Sequence, residues 1–151
     1  MSKPEFVYVS YIETTPEKLW EALTDGDFTE RYWFGWRFTA KGKVGASYTF
    51  TKPGAEGAEG KLLEFDPPRR LAYTWHLCTA EAKDEPSSRV AFDLEPRGKA
   101  VKLTVTHDGF GEGSQTQRDI SGGWPMVLSG LKSLLETGQV LTIDPISKPC
   151  R

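Results

Sequence analysis

The stretch "SGGWPMVLSGLKSLLETG" (121–138) decides the fold. Its apolar residues recur at three- and four-residue steps: Trp124, Val127, Leu128, Leu131, Leu134 and Leu135. This spacing predicts an α-helix with a wide apolar stripe along one face, and Gly138 is placed as a C-cap. We expect residues 114–120 to form earlier turns of the same helix and Pro125 to bend it, because proline removes a backbone hydrogen bond.

The residues before this helix, from Val44 to His107, follow the two-residue period of short strands. Apolar side chains alternate in "KVGASYTF" (43–50), "LAYTWHL" (71–77), "RVAFDLEP" (89–96) and "KAVKLTVTH" (99–107). "PGAEGAEG" (53–60) is expected to be a hairpin connection, and "DPPRR" (66–70) a second turn. Connections this short predict antiparallel pairing, because parallel strands need a long crossover.

The first segment adds a strand and two short helices. "FVYVSYI" (6–12) is rich in β-branched and aromatic residues, which favours a strand, and "TTPEKLWEAL" (14–23) places Pro16 at the first position of a helix. A second short helix is predicted over 27–31. A strand, two helices, about five antiparallel strands and a long helix indicate an α+β fold, with the last helix across one face of the sheet. Residues 1–151 are expected to form one domain, with its core over 6–138 and a C-terminal tail over 139–151.

Composition excludes several classes of function. The chain has 19 Lys plus Arg against 21 Asp plus Glu, so it lacks the basic excess that nucleic-acid binding requires. No signal peptide or membrane-spanning stretch is apparent, which predicts a cytoplasmic protein. With only Cys78 and Cys150, we expect reduced thiols and no disulfide framework.

Four aromatic residues fall within "RYWFGW" (31–36). Two interpretations stay open: these rings close the core where the short helices meet the sheet, or Trp33 and Trp36 form the rim of a ligand cavity. Gly35 between them would allow a tight backbone turn. The two interpretations overlap, because a cavity wall is also part of a core.

The strand and helix patterns place further rings beside this turn. They predict a hydrophobic cavity between the sheet and the last helix, with a few polar tips, as small-molecule sites usually have. The predicted ligand-binding residues are Trp33, Trp36, Tyr48, Tyr73, Trp75, Phe92, His107, Trp124 and Leu128. The prediction depends on one premise, that these rings enclose a vacancy instead of touching each other.

Catalytic and metal chemistry find little support in the sequence. His107 shares a strand face with apolar residues, so we interpret it as a structural histidine that a neighbour satisfies. His76 and Cys78 lie two residues apart and could face one direction as metal ligands, but two ligands do not make a zinc site. No nucleophile elbow, phosphate-binding loop or dinucleotide fingerprint is present. We therefore predict no catalytic residue, no metal and no cofactor.

Several segments in this order resemble one known superfamily: "TTPEKLWEALTD" (14–25), "RYWFGW" (31–36), "LLEFDPPRRLAYTW" (62–75) and "GWPMVLSGLKSLLETG" (123–138). Together they are similar to the START-like superfamily, also called SRPBCC or birch-pollen-allergen-like. Within it, they are similar to the branch of the activator of heat-shock protein 90 ATPase homologue. The resemblance covers about residues 6 to 138.

The resemblance implies the helix-grip fold, in which a curved antiparallel sheet wraps around a long C-terminal helix. It also implies a cavity that binds a small apolar molecule, aromatic or lipid-like, in a monomer or homodimer. Two alternatives remain: a protein-interaction or co-chaperone-like module with a protein partner, and an enzyme similar to the cyclases and aromatases of this superfamily. His107 and Tyr73 would be the candidate proton-transfer groups of such an enzyme.

Overall fold

The computed structural model describes residues 5–78, 84–110 and 114–141. Its elements, in chain order, are β1 (Glu5–Ile12), α1 (Pro16–Thr24), α2 (Gly26–Tyr32), β2 (Arg37–Ala40), β3 (Ser47–Lys52), β4 (Ala55–Asp66), β5 (Arg70–Leu77), β6 (Ser88–Arg97), β7 (Ala100–Asp108) and α3 (Gln115–Thr137). The predicted tail from residue 142 onward, with Cys150, lies outside the described residues.

The strands form one antiparallel sheet in the order β1-β7-β6-β5-β4-β3-β2. The helix α3 contributes Trp124, Leu128 and Leu131 to the same core as the inward side chains of the strands. The predicted α+β helix-grip fold is therefore confirmed, with a curved sheet gripping the C-terminal helix.

The helix ends follow the predicted signals. Thr15 caps α1 by accepting a hydrogen bond from the Lys18 amide at 3.2 Å, and Pro16 opens the helix. The helix α3 begins at Gln115, as the predicted extension requires, and it contains Pro125. Gly138 ends the helix. Its φ is 83° and its amide donates a hydrogen bond to the Leu134 carbonyl at 2.9 Å, which confirms the predicted C-cap.

The predicted hairpin is present between β3 and β4, but the predicted bounds of its connection, 53–60, are wrong, because β4 already starts at Ala55. Gly57 and Gly60 lie inside this strand, where the backbone has no room for a side chain. A Cβ atom on Gly57 would lie 1.9 Å from the Phe50 carbonyl oxygen, and one on Gly60 would lie 2.3 Å from the Thr74 carbonyl oxygen. These glycines therefore serve close packing inside the sheet, and not a turn.

Two further features of the strands differ from the sequence-based expectation. The short strand β2 was not predicted, because its four residues bury only Phe38 and show too little alternation to detect. The alternation in "KVGASYTF" (43–50) predicts that Val44 shares the inward strand face of Tyr48 and Phe50, but Val44 precedes β3 and is 62% exposed. Among the described residues, no helix combines the length and apolar character needed to cross a membrane.

Candidate functional site

The aromatic turn connects α2 to β2 through two residues with positive φ. The backbone has a φ of 53° at Phe34 and 89° at Gly35, and the Gly35 amide donates to the Glu30 carbonyl at 3.0 Å. This confirms the tight turn predicted at Gly35, where glycine carries no steric penalty. Trp36 is buried and Trp33 partly buried, whereas the Phe34 side chain is 40% exposed.

Trp33 joins three parts of the fold. Its ring centroid lies 4.5 Å from that of Phe50 on β3, 6.2 Å from that of Trp75 on β5 and 5.1 Å from that of Trp124 on α3. Offset and edge-to-face pairs at such distances are favourable beyond the burial of area alone. The turn is therefore part of the core, as the first interpretation of "RYWFGW" states, and the role of Trp33 and Trp36 as the rim of a ligand cavity stays a prediction.

The structure brings the nine predicted ligand-binding residues together in one interior. Eight are buried and Trp33 is partly buried. Their rings form a continuous cluster from Tyr48 and Tyr73, 4.5 Å apart, through Trp75 to Trp124, 6.1 Å away. The inward directions assigned from strand alternation are correct. Whether these residues bind a ligand stays a prediction.

A small cleft opens at one side of this cluster. Its volume is about 30 Å³, and it is lined by Trp33, Trp36, Phe50, Gly57, Ala58, Trp75 and Leu77. Three of these were predicted. The sequence-based prediction does not include Phe50 and Leu77, although each lies two positions from a predicted residue on the same strand face. It does not include Gly57 and Ala58 because both fall within the predicted hairpin connection.

The premise of an enclosed vacancy is not met among these rings. They contact each other, and the cleft holds roughly one or two water molecules. Ligand pockets for small organic molecules usually measure about 300 to 1,000 Å³. An ordinary ligand would therefore have to displace at least one ring.

One polar atom in the cluster has no hydrogen-bond partner among the described residues. The indole Nε1 of Trp75 is buried and donates to nothing there. Burying an unsatisfied N–H group costs about 1 to 3 kcal/mol, so most native donors of this kind find an acceptor. Trp75 also lines the cleft, which makes it a hydrogen-bond donor within the candidate site.

The imidazole of His107, in contrast, uses both of its nitrogens. The Trp124 indole donates to Nδ1 at 3.1 Å, so Nδ1 carries no proton. The Nε2–H group then donates to the Ser88 hydroxyl at 2.7 Å, and this hydroxyl donates to the Trp75 carbonyl at 3.2 Å. Burial lowers the pKa of His107 to about 3, which keeps the ring neutral. The geometry is that of the predicted structural histidine.

The buried phenols are also neutral. Tyr48 donates to the Thr74 carbonyl at 2.5 Å, and burial raises its pKa and that of Tyr73 above the usual range. The cluster therefore offers aromatic surface and neutral hydrogen-bonding groups, without a buried charge. Such a lining suits an uncharged, apolar molecule.

A second, broader depression lies between α1 and β2. It is shallow and open, with a volume of about 640 Å³, and its lining includes the acidic residues Glu17, Glu21 and Asp25. Arg37 at its edge pairs with Asp27 at 2.7 Å and with Glu30 at 3.3 Å. This charged, solvent-open surface does not suit an apolar ligand, so the aromatic cleft is the better candidate despite its small size.

Known structures support the fold. Protein MLL2253 from Mesorhizobium loti has a TM-score of 0.76 at 27% identity, over 87% of this chain and 96% of that one. The Aha1 dimer from Colwellia psychrerythraea has a TM-score of 0.74 at 23% identity, over 89% of this chain and 98% of that one. PFC0360w, an HSP90 activator from Plasmodium falciparum, has a TM-score of 0.67 at 20% identity, over 80% of this chain and 86% of that one.

Sequence comparison gives the family itself. No curated protein has a significant sequence match to this chain. The family model described as "Activator of Hsp90 ATPase homolog 1-like protein" matches residues 13–136, which is most of the chain and includes the aromatic turn and all of α3 except its last residue. The chain therefore belongs to the Activator of Hsp90 ATPase homolog 1-like protein family.

Proposed function

We propose that this protein binds a small, uncharged, aromatic molecule in the cleft between Trp33, Trp36 and Trp75. The observation that carries the proposal is the unsatisfied Trp75 indole N–H in an aromatic cluster that borders this cleft. A planar ligand with one hydrogen-bond acceptor would stack on the rings and satisfy this donor. The combination of apolar surface and one directional polar group is typical of small-molecule sites.

Entry of the ligand requires the turn between α2 and β2 to move. Trp33 is only partly buried, and the turn that carries it contains the strained Phe34, with its φ of 53°. Strained, partly exposed segments are where local opening costs least. Rotation of the Trp33 ring away from Phe50 would enlarge the cleft without breaking the strand ladder.

A thermal-shift screen of uncharged aromatic compounds tests the proposal. A ligand that binds only the folded state raises the melting temperature by mass action. We expect at least one scaffold to stabilise the protein and to quench its tryptophan fluorescence. A broad library that produces neither effect contradicts the proposal.

Two alanines of equal burial provide a matched pair of variants. Ala58 lines the cleft and Ala91 lies elsewhere in the sheet, on β6, and both are 5% exposed. Ala58→Val fills the cleft and should weaken the best compound at least tenfold, whereas Ala91→Val should change its affinity less than twofold. Equal affinities for the two variants would place the ligand elsewhere.

A second candidate function, a protein-interaction module, has its own observation. Val7, Val9 and Tyr11 project from the edge strand β1, and they are 52%, 44% and 54% exposed. Alternating apolar side chains exposed on an unpaired edge are typical of interaction surfaces. Two neighbours of similar fold carry the names Aha1 and HSP90 activator, which suggests heat-shock protein 90 as the first partner to try.

Isothermal titration of purified heat-shock protein 90 with this protein tests the second candidate. Binding that is lost in Val9→Lys, and kept in Ala58→Val, would support it. The absence of measurable heat at micromolar concentrations would remove its support without affecting the ligand proposal.

Catalysis receives no support from the two candidate groups. His107 is fully buried with both ring nitrogens hydrogen-bonded, and Tyr73 is 1% exposed with a raised pKa. A general acid or base has to reach the proton that it transfers. Neither side chain is accessible to a substrate in this structure, so the proposal is restricted to binding.

A further inference from the structure

Three side chains with metal-ligating atoms lie together on the outer face of the sheet, away from the aromatic cluster. Glu59 on β4 pairs directly with His76 on β5, and Cys78, two residues after His76, directly follows the end of β5. The Cys78 amide donates to the Gly57 carbonyl at 2.8 Å, so the backbone of all three residues is held by the β4–β5 pair. Scaffolds of this rigidity hold metal ligands more accurately than loops.

The side chains of these three residues converge. One carboxylate oxygen of Glu59, one ring nitrogen of His76 and the Cys78 sulfur lie within 4.8 Å of one another. In a tetrahedral zinc site with bonds of about 2.0 to 2.3 Å, ligand atoms are roughly 3.4 to 3.6 Å apart. Small side-chain rotations would close the difference, because Glu59 is exposed and His76 and Cys78 are partly buried.

The donor set identifies the class of metal. A thiolate, an imidazole and a carboxylate suit Zn²⁺, whereas Mg²⁺ and Ca²⁺ prefer oxygen ligands alone. The thiolate and the carboxylate would also balance the double charge of the ion. We propose that Glu59, His76 and Cys78 form a zinc-binding site in which the remaining position is filled by water or another small ligand.

This site revises the sequence-based prediction of no metal. That prediction rests on His76 and Cys78 alone, which lie two residues apart in sequence and offer no third ligand. The register of β4 against β5 supplies Glu59 from 17 positions before His76. The neighbours Ala58, Trp75 and Leu77 face the core, so the zinc site and the proposed ligand cleft lie on opposite faces of the sheet.

Zinc titration of the reduced, metal-free full chain, in competition with a chromogenic chelator, tests the proposal. We expect one ion per chain. Cys78→Ser, His76→Gln and Glu59→Gln should each weaken binding by about tenfold or more. Cys150→Ser removes the other cysteine and is the matched control, with affinity within about twofold of wild type, and Mg²⁺ should not compete.

Cobalt(II) substitution gives a second, direct measurement. A sulfur-to-cobalt charge-transfer band should appear in wild type and Cys150→Ser and be missing in Cys78→Ser. A band in the wild-type protein shows directly that a cysteine binds the cobalt ion, and this evidence does not depend on the stability of any variant. Zinc binding that is equally tight in Cys78→Ser, or no binding at micromolar zinc, would overturn the proposal.

Discussion

At the scale of single residues, His107 shows how this core tolerates a polar group. Its ring is fully buried, and hydrogen bonds to Trp124 and Ser88 satisfy both nitrogens only when the ring is neutral. Protonation of Nδ1 would place a second N–H group against the Trp124 indole donor. Burial therefore couples the stability of the fold to the protonation of one side chain.

This coupling predicts the direction of pH dependence. The pKa of His107 is about 3 in the folded protein and about 6.5 in the unfolded chain. The contribution to stability is fully present above pH 6.5 and is lost as the pH falls toward 3, because only the unfolded chain binds the proton in that range. Between pH 6.5 and 5 the free energy of unfolding should fall by about 2 kcal/mol, measured by urea denaturation.

The variant His107→Gln serves as the control for this prediction. It should be less stable than wild type at pH 7, but its free energy of unfolding should change much less between pH 6.5 and 5. The lowered pKa values of Glu64 and Glu136 affect stability mainly at lower pH, near and below 4.5. Parallel pH profiles for the two proteins would show that another group titrates in this window.

The inward direction of the site residues could be predicted from sequence, but their packing could not. Tyr48, Tyr73, Trp75 and Phe92 could be placed inward from sequence, because two-residue alternation fixes which side chains share a face. Alternation carries no information about how tightly the rings pack against the opposite layer. The sequence predicted an open cavity, but the structure has only a small cleft. The volume of such a cavity depends on side-chain packing between residues that are far apart in sequence.

At the scale of elements, strands with clear alternation and helices with clear caps could be predicted, but β2 and the first half of β4 could not. In β4, Gly57 and Gly60 mimic a turn signal. The physical reason for glycine at Gly57 is the close approach of β3, which becomes visible only when the two strands are paired. Sequence reasoning cannot distinguish these two uses of glycine.

This use of glycine predicts opposite effects for two substitutions. Gly57→Ala would place a Cβ atom 1.9 Å from the Phe50 carbonyl oxygen and 3.0 Å from the Trp36 ring, so the strands must separate. We expect a loss of about 2 kcal/mol or more. Gly122→Ala in α3 meets no atom within 4 Å and should stabilise the protein by about 0.5 to 1 kcal/mol.

Urea denaturation of both variants at pH 7 measures the two effects. If Gly57→Ala were as stable as wild type, the close contact between β3 and β4 would be looser than the structure indicates. The helix variant controls for general effects of replacing glycine by alanine on the unfolded chain.

At the scale of the whole molecule, the aromatic cluster connects elements that are distant in sequence. Trp33 from the α2–β2 turn contacts Phe50 on β3, Trp75 on β5 and Trp124 on α3. The family match extends over 13–136 and includes all four of these segments. Trp33 thus adds contacts between the sheet and α3 to those that Trp75, Phe92 and His107 make directly with Trp124.

The last prediction compares Trp33 with its neighbour Phe34. Trp33→Ala removes the ring contacts to three elements and should cost about 3 kcal/mol, which lowers the melting temperature by about 6 to 12 °C. Phe34→Ala removes a ring that is 40% exposed, and should change stability by less than about 0.5 kcal/mol. The two residues share the same turn, so backbone effects are closely matched. Equal losses in thermal denaturation would mean that the conformation of the turn, and not the contacts of the Trp33 ring, accounts for the stabilisation.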